Sequence, residues 1–344
     1  MTVAVDCAAV PMTHDAAGRR QGQSEDLEQY RRELTGYCYR MLGSVFEAED
    51  AVQETMVRAW RGMDRFEGRS AVRSWLYRIA TNVCLDMLRG RQRRALAMDL
   101  GPASAADAFT GAQLSEHAWV SPIPEAHVLP SDGDPAELAA SRETIRLAFI
   151  AALQHLPARQ RAVLILREVL RWPATEVAEL LDTSVASVNS ALQRARATLA
   201  ARQVNEADVR PVSADQQALL ARYVDAFERY DITSLVSLLR DDAVMSMPPY
   251  HFWLQGPVEM GRWYLGEGCG CRGSRLVATA ASGCAAFGQY RADGQGGHRP
   301  WALQVVEVSG DRIVGLHHFL DTNLFAVFGL PPRLEPQADA GFEP

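Results

Sequence analysis

The chain has 344 residues, of which 48% are hydrophobic and 22% charged, and its formal net charge is −7. This length accommodates two or three globular domains, and the composition excludes a fibrous or disordered chain. No apolar run is long enough to span a membrane, and the first residues lack the basic start and apolar core of a signal peptide. We therefore expect a cytoplasmic protein with no membrane partner and with reduced thiols, since its six cysteines form no disulfide-scaffold pattern.

The charge is distributed unevenly along the chain, and every basic residue is an arginine. Residues 28–94 hold thirteen arginines and nine acidic residues, and residues 141–203 hold nine and five. Residues 95–140 hold seven acidic residues and no arginine, and residues 204–344 hold seventeen acidic residues and eleven arginines. The pattern predicts two basic blocks joined by an acidic linker and followed by an acidic domain.

Residues 1–26 show no periodicity, and we expect them to be mobile. An apolar stripe predicts a first helix over about 27–42, which Gly43 ends. Ser44 and Glu47 have the spacing of a capping box that opens a second helix, which reaches about Gly62. The first half of this helix is acidic, with Glu47, Glu49, Asp50 and Glu54. Acidic residues stabilise the start of a helix through its dipole, and they also suit a docking face for a basic partner.

Aromatic residues and arginines alternate after a loop at residues 64–68. The set comprises Phe66, Arg69, Arg73, Trp75 and Arg78, with Asn82 one turn further. Aromatic rings stack on unpaired bases while guanidinium groups neutralise phosphates, so the alternation indicates contact with a single-stranded nucleic acid. The alternative is that Trp75 and its apolar neighbours form the inner face of the helix.

Residues 95–140 are rich in Ala, Asp and Pro, and a structureless loop of this length is uncommon within one domain. We therefore predict an interdomain linker, in which Trp119 is an apolar anchor.

Residues 156–203 contain two short helical patterns separated by a polar turn at 182–184. Spacings of three and four place one set on the inner face of the second helix: Val185, Val188, Leu192, Ala195 and Leu199. The opposite face carries Ser187, Asn189, Ser190, Gln193 and Arg194, with Arg196 at its edge. Asn and Gln match adenine edges and Arg matches guanine or phosphate, so the segment predicts a DNA-binding helix-turn-helix. The alternative is an ordinary αα-hairpin with a solvated basic face.

From Ser213 onwards the sequence pattern changes from purely helical to mixed helical and β-like. A helical stripe is followed by a second short helix over DITSLVSLLRDDAV and then by four β-like runs, the last two joined by a turn at residues 309–311. Helices first and an antiparallel sheet afterwards predict an α+β domain.

This C-terminal part contains candidate acid–base residues, namely His251, His317, His318, Asp241 and Asp321. No spacing among them defines a site, and adjacent histidines on a strand point to opposite faces. Cys269, Cys271 and Cys284 lack the spacing of a structural zinc site. We therefore expect no enzyme activity, no metal and no cofactor, while Trp253, Trp263 and Trp301 are candidates to line an apolar pocket.

The run DAVQETMVRAW followed by FEGRSAVRSWLYRIATNVCLDMLR resembles region two of sigma-70 factors of the extracytoplasmic-function type. LPARQRAVLILREVLRWP and SVASVNSALQRAR resemble region four, although Asn189 and Ala191 stand where that family often has basic residues. DDAVMSMPPYHFWLQG resembles the SnoaL-like, nuclear-transport-factor-like cone fold, whose sheet encloses a pocket. Trp119 in WVSPIPE resembles the tryptophan–proline linker motif of sigma factors that carry such an extra domain.

The resemblance implies two all-α domains joined by a long linker and followed by a cone-shaped α+β domain. The expected divisions are a region-two domain at 27–94, a linker at 95–140, a region-four domain at 141–203, a SnoaL-like regulatory domain at 204–333 and a tail at 334–344.

The function implied is that of an alternative sigma factor, which binds core RNA polymerase and promoter DNA. Glu47, Asp50 and Glu54 would contact polymerase, the set from Phe66 to Asn82 would capture the non-template strand of the minus-ten element, and the set from Ser187 to Arg196 would read the minus-thirty-five duplex. A small-molecule ligand and an anti-sigma partner are compatible with this function.

Two other functions fit parts of the chain. A stand-alone helix-turn-helix regulator would bind duplex DNA without polymerase and would not need the aromatic stretch. A pocket enzyme with a DNA-binding arm would need a competent acid–base pair within residues 213–333.

Overall fold

The computed structural model describes most of the chain, in four stretches: residues 27–66, 71–130, 134–201 and 214–336. The predictions for residues 1–26, for Arg69 and for residues 337–344 lie outside these described residues. Within them, no helix is both long and apolar enough to cross a lipid bilayer.

Within the described residues, the N-terminal group contains the helices α1 (Arg31–Leu42), α2 (Val45–Gly62) and α3 (Val72–Met87). α1 ends at Gly43, whose φ of 72° lies in the left-handed region that glycine adopts at little cost. α2 begins at Ser44, whose hydroxyl accepts a hydrogen bond from the backbone N–H of Glu47 at 3.4 Å. The Glu47 carboxylate completes no capping box, because it pairs with Arg91 and Arg94 instead.

A second group follows the connection and contains α4 (Pro135–Glu143), α5 (Leu147–Gln154), α6 (Ala158–Leu164), α7 (Ala174–Leu180) and α8 (Val185–Ala200). A π-helical turn at Ile165–Val169 extends α6. α7 and α8 form the predicted helix-turn-helix. The chain turns through Asp182, with φ of 50°, and the Ser184 hydroxyl caps α8 by accepting from the Ser187 N–H at 3.1 Å.

The inner face of α8 matches its predicted stripe along most of its length. Val188, Leu192 and Ala195 are buried, and Leu199 is half-buried. Val185 is 38% exposed and lies outside the hydrophobic core, because it stands in the first turn of the helix. The periodic pattern therefore predicts the face of α8 correctly but extends it one turn too far.

The connection at residues 95–130 lies folded against its neighbours. Trp119 is buried, Ala95 pairs with it in an isolated bridge, and the Arg94 guanidinium donates to the Trp119 carbonyl at 2.7 Å. Val120 and Ile123 are fully buried. Trp119 is therefore a buried apolar anchor that packs in a small core with Ala97 and Trp253, whereas Val120 and Ile123 belong to the main hydrophobic core.

The C-terminal part contains helices α9 (Ala214–Glu228), α10 (Ile232–Ser237), α11 (Pro257–Leu265) and α12 (Leu324–Val327). Its strands are β1 (Leu239–Ser246), β2 (Trp253–Gln255), β3 (Arg275–Ala281), β4 (Cys284–Ala292), β5 (His298–Ser309) and β6 (Arg312–Phe319). They form one sheet of order β2-β1-β6-β5-β4-β3, in which only the β1–β6 pair is parallel. The predicted hairpin turn joins β5 to β6 at Gly310.

One predicted helix is only half correct. The pattern of DITSLVSLLRDDAV predicts a helix through Val244, but α10 ends at Ser237 and the residues from Leu239 form β1. β1 lies between β2 and β6, whose backbone groups pair with it in place of a local helical turn. Pairing across the sheet therefore overrides the local propensity.

A continuous hydrophobic core joins the helical groups to the sheet. It includes Leu34 of α1, Ile123 of the connection, Ile150 of α5, Ala286 of β4 and Val305 of β5. A separate core, formed mainly by α9, α10, α11 and the sheet residues that face them, fills the interior of the C-terminal part. The C-terminal part is therefore packed onto the helical groups by apolar surface, beyond its covalent connection.

Candidate nucleic-acid and polymerase interfaces

The outer face of α8 presents a continuous polar surface. Five of the predicted reading residues are exposed on it: Ser187, Asn189, Ser190, Gln193 and Arg194. Because α8 is capped at Ser184 and held by its buried face, this surface is rigid and complete in the free chain. Within the described residues, the Arg194 guanidinium makes no hydrogen bond or ion pair and is available to a base edge or phosphate.

Arg196 lies at the edge of this face, as predicted, and already has a partner. Its guanidinium is 2.6 Å from the carboxylate of Glu168, which belongs to the π-helical turn after α6. Both side chains are largely exposed, so the ion pair contributes little stability and does not prevent a phosphate contact. A DNA contact by Arg196 would therefore compete with its ion pair to Glu168, whereas one by Arg194 would replace no bond among the described residues.

The aromatic residues predicted to face a single strand form one cluster at the start of α3. The rings of Phe66 and Trp75 are 4.9 Å apart, and Trp75 also packs over Gly62 at the end of α2. Trp75 is half-buried, so one part of it is core while another part is accessible. Asn82 is exposed two turns further along α3.

Two arginines predicted to contact the strand hold the helical groups together. Arg73 pairs with Glu33 at 2.8 Å, and its guanidinium lies 5.3 Å from the ring centroid of Trp172. Arg78 donates to the backbone carbonyl of Glu179 in α7 at 2.9 Å. Arg73 and Arg78, which are predicted to contact the strand, are thus engaged with the region around the helix-turn-helix.

Trp172 also takes part in the contact between α3 and the helix-turn-helix group. The sequence analysis did not identify it as a contact residue. Its ring is buried and lies 4.8 Å from that of Tyr77 in α3. A tryptophan directly before Pro173, in a loop between two amphipathic helices, was the available signal. A loop has no apolar face that could cover such a large ring. The ring is therefore expected to pack against another element.

The three acidic residues predicted to contact a basic partner occupy different environments. The Glu47 side chain is only 10% exposed and lies 2.7 Å from Arg94. Burial lowers the pKa of the Arg94 guanidinium, and the Glu47 carboxylate opposes that shift. Asp50 is exposed, and Glu54 bonds Arg58 at 2.7 Å within the same helix. Glu47 therefore stabilises the helix end, and Asp50 and Glu54 provide the accessible acidic surface.

A further candidate on α2 is Trp60, whose side chain is 51% exposed. Its neighbour Ala59 lies on the buried stripe, and this already places Trp60 on the outer face of the helix. An exposed tryptophan is typical of a protein–protein contact site.

The candidate acid–base residues of the C-terminal domain are dispersed. His251 and Asp241 are exposed, and Asp321 accepts a bond from the backbone of Asn323. His317 is buried and shares a hydrogen bond of 2.8 Å with the Ser246 hydroxyl, whereas His318 lines a cavity on the other face of β6. The predicted alternation of the two histidines is confirmed. In the described part of the chain, no three His, Cys, Asp or Glu side chains form a metal-binding group.

Comparison with known proteins connects these surfaces to one family. Residues 27–94 match sigma-70 region 2, and residues 146–199 match sigma-70 region 4. The chain is 44% identical over 326 residues to the ECF RNA polymerase sigma factor SigG of Mycobacterium tuberculosis, a match that covers 93% of this chain and 87% of SigG. It is also 29% identical over 223 residues to SigJ of that organism, covering 64% of this chain and 63% of SigJ.

The crystal structure of SigJ from Mycobacterium tuberculosis shares the fold. It superimposes with a TM-score of 0.56 over 89% of this chain and 99% of its own length, at 21% identity. The predicted order of the fold is confirmed: helical groups, including a helix-turn-helix, precede an α+β domain. The chain therefore belongs to the extracytoplasmic-function RNA polymerase sigma factors, and it is an alternative sigma factor that binds core RNA polymerase and promoter DNA to initiate transcription.

Proposed function

We propose that promoter DNA is read at two separate places on this chain. The polar face of α8 reads the minus-thirty-five duplex, with Arg194, Gln193 and Asn189 at base edges and Arg196 on a phosphate. The cluster of Phe66 and Trp75, with Asn82, stacks on and holds the non-template strand of the minus-ten element. The observation that carries this proposal is the exposed reading face of α8, with its unpartnered Arg194 guanidinium.

Core polymerase binds the outer surface of α2 in this proposal. Asp50 and Glu54 supply negative charge, and Trp60 supplies an apolar contact that is exposed in the free chain. Glu47 acts indirectly, since its ion pairs with Arg91 and Arg94 fix the start of α2 against the segment that follows α3. The working division places polymerase binding and strand capture in residues 27–94, duplex reading in 141–203 and regulation in 204–333.

The arrangement of the helical groups represents a resting state of the free chain. Arg73 and Arg78 make intramolecular contacts with Trp172 and with the Glu179 carbonyl. A DNA strand on α3 needs these guanidinium groups, so the helix-turn-helix group must move away from α3 before strand capture. Polymerase supplies the energy for this separation by binding the two groups at a fixed spacing.

The C-terminal domain tunes this equilibrium and performs no chemistry. The packing of the domain supports this regulatory role, because the tip of the β3–β4 hairpin at Ser282 is fully buried against α1 and the connection. A pocket enzyme would need an acid–base pair that faces the cavity. His317 lies 3.7 Å from the Glu307 carboxylate, but neither residue lines the cavity, and His318, which does, has no carboxylate within hydrogen-bonding distance among the described residues. A domain packed on both helical groups changes their mutual geometry when it shifts.

Reconstitution of the full chain with core polymerase tests the proposal. We expect promoter-specific initiation, with start sites that share sequence elements near minus ten and minus thirty-five. Specific binding of the chain alone to the same duplex, with no initiation when polymerase is added, would favour the stand-alone regulator. Removal of residues 204–344 is a poor test, because it exposes the apolar surface that the sheet shares with the helical groups.

A further inference from the structure

The C-terminal domain contains a cavity of about 220 Å³ between α11 and the sheet. Its wall is mainly apolar and includes the aromatic rings of Tyr250, Trp263 and Trp301, and its polar groups come from Gln289, Arg291 and His318. Gln289 belongs to a buried chain of hydrogen bonds, since it accepts from Gln304 and donates to Ser274, both at 3.0 Å. The polar groups are therefore held in place by the sheet and do not depend on a ligand for their orientation.

Arg291 is the most informative residue in this cavity. Its guanidinium stacks on the ring of Trp301, at 3.5 Å from the centroid, and donates to the Cys271 sulfur at 3.2 Å. Its Nε is buried and has no hydrogen-bond partner, and no carboxylate pairs with it in the described part of the chain. A guanidinium that is partly removed from water without a counter-ion is costly, and a carboxylate is the ligand that satisfies it with two parallel bonds.

The other ionisable groups at the cavity do not replace that counter-ion. Burial lowers the pKa of His318 to about 3, so it is neutral at physiological pH and lies 3.4 Å from the Tyr264 hydroxyl. Glu267 lies at the mouth and is exposed to solvent. The interior of the cavity therefore carries one positive charge, which lies beside aromatic rings.

A side chain from the connection between the helical groups closes this cavity. The ring of Phe109 lies 5.0 Å from Tyr250, 5.2 Å from Phe252 and 5.1 Å from Trp263, all edge to face. The flanking backbone is attached to the same domain: the Ala106 N–H donates to Glu259 at 2.9 Å. Phe109 thus occupies an aromatic cage that belongs to the C-terminal domain, although it comes from the linker.

The remaining volume is small for a ligand site, which is typically about 300–1,000 Å³. Withdrawal of the Phe109 ring enlarges the cavity and opens the aromatic cage to solvent. The space that the ring leaves fits another planar ring. It lies in the same cavity as Arg291, whose Nε has no hydrogen-bond partner.

We propose that this cavity binds a small organic carboxylate with one or two aromatic rings, whose ring takes the place of Phe109 and whose carboxylate pairs with Arg291. Ligand binding and docking of the linker at residues 101–114 are then mutually exclusive. The effect on transcription rests on the proposed regulatory role of the domain, whereas the binding itself does not.

Isothermal titration calorimetry on the full chain tests the binding directly. Benzoate, 2-naphthoate and indole-3-carboxylate serve as probes, and the corresponding uncharged amides serve as controls. We expect at least one carboxylate to bind, with its amide at least tenfold weaker. Phe109→Ala should bind the same carboxylate at least tenfold more tightly, because no ring competes for the cage, and Phe109→Leu should give an intermediate gain.

Arg291→Gln should weaken carboxylate binding at least tenfold, whereas Arg240→Gln, which removes an exposed arginine of β1 in the same domain, should leave it unchanged. No binding of any of the three probes to Phe109→Ala, with the secondary structure intact, would overturn the proposal. Equal affinities of the Arg291 and Arg240 variants would overturn the role of the guanidinium.

Limited proteolysis tests the competition. Saturating 2-naphthoate, or whichever probe binds most tightly, should increase cleavage within residues 101–114 severalfold, and in Phe109→Ala the cleavage should be high with or without the probe. Binding with unchanged cleavage would overturn the exclusion of the linker. Transcription assays are separate, so a ligand that binds without altering initiation contradicts the regulatory role and leaves the binding site in place.

Discussion

The Tyr39 hydroxyl lies 3.4 Å from the Ser282 hydroxyl, although the two residues are 243 positions apart in the chain. Tyr39 belongs to α1, and Ser282 forms the tip of the β3–β4 hairpin. Both also bond the connection: Tyr39 donates to the Ser121 carbonyl at 2.8 Å, and the Ser282 hydroxyl accepts from the Ile123 N–H at 3.2 Å. The three parts of the chain therefore meet at one buried polar junction.

Gly283, the neighbour of Ser282, places the hairpin tip in close contact with Arg142. Gly283 has φ of 76°, and a Cβ there would lie 2.8 Å from the Arg142 carbonyl oxygen. Gly283→Ala should displace the hairpin tip and increase hydrogen exchange at residues 120–128. Gly310→Ala is the matched control, because Gly310 also has a positive φ, of 61°, but a Cβ there meets nothing within 4 Å.

Both substitutions carry a similar backbone cost of about 1 kcal/mol, so a difference between them reports the lost contact. Equal exchange at residues 120–128 in the two variants would show that the hairpin tip does not hold the connection.

Substitution of two tryptophans should affect strand capture and polymerase binding separately. Trp75→Ala should reduce open-complex formation, because stacking on a base contributes about 1–3 kcal/mol. Trp60→Ala removes an exposed ring of α2 and should weaken polymerase binding instead. Permanganate footprinting measures the first effect and fluorescence anisotropy with core polymerase the second. If Trp75→Ala opens promoters normally, its ring serves only the core beside Phe66 and Gly62.

Promoter discrimination should depend on Arg194 more than on Arg196. Arg194→Ala should cost about 1–3 kcal/mol at promoters with the cognate upstream element, if the guanidinium pairs with guanine. Arg196→Ala removes a phosphate contact and an exposed pair with Glu168, so its loss should be smaller and independent of sequence. Transcription from promoters with matched and scrambled upstream elements distinguishes the two. Identical promoter preference in both variants would move the reading face elsewhere on α8.

Acid should destabilise the C-terminal domain through His318. Burial holds its pKa at about 3 in the folded chain, against about 6.5 when unfolded. The unfolded state therefore binds the proton more readily, and stability is lost as the pH falls from about 6.5 towards 3. Between pH 7 and pH 5 the loss should be about 2 kcal/mol.

Urea unfolding at these two values, followed by tryptophan fluorescence, measures the change. His318→Gln keeps a hydrogen-bonding group that does not titrate, so it should show a smaller difference between pH 7 and pH 5. An unchanged difference in this variant would assign the acid sensitivity to another group.

Local patterns predicted several features of the fold correctly. The buried stripe of α8, the turn at residues 182–184, the helix start at Ser44 and the hairpin at Gly310 each depend on residues within a few positions of one another. β1 shows the opposite case, because its pattern resembles a helix and its strand pairing comes from residues 253–255 and 313–317.

The sequence by itself determined the family, the order of the helical and α+β parts, and which face of α8 is polar, because helix periodicity, capping and turn chemistry act over short separations. Only the tertiary structure decided which of the charged residues predicted to bind polymerase or DNA lack an intramolecular partner. Glu47 and Arg78 have the same composition signal as Asp50 and Arg194, yet the first two are engaged by Arg94 and by the Glu179 carbonyl. The positions of Phe109 and Ser282 were likewise decided by packing, since a ring or hydroxyl is placed by partners that the chain brings together from more than a hundred residues away.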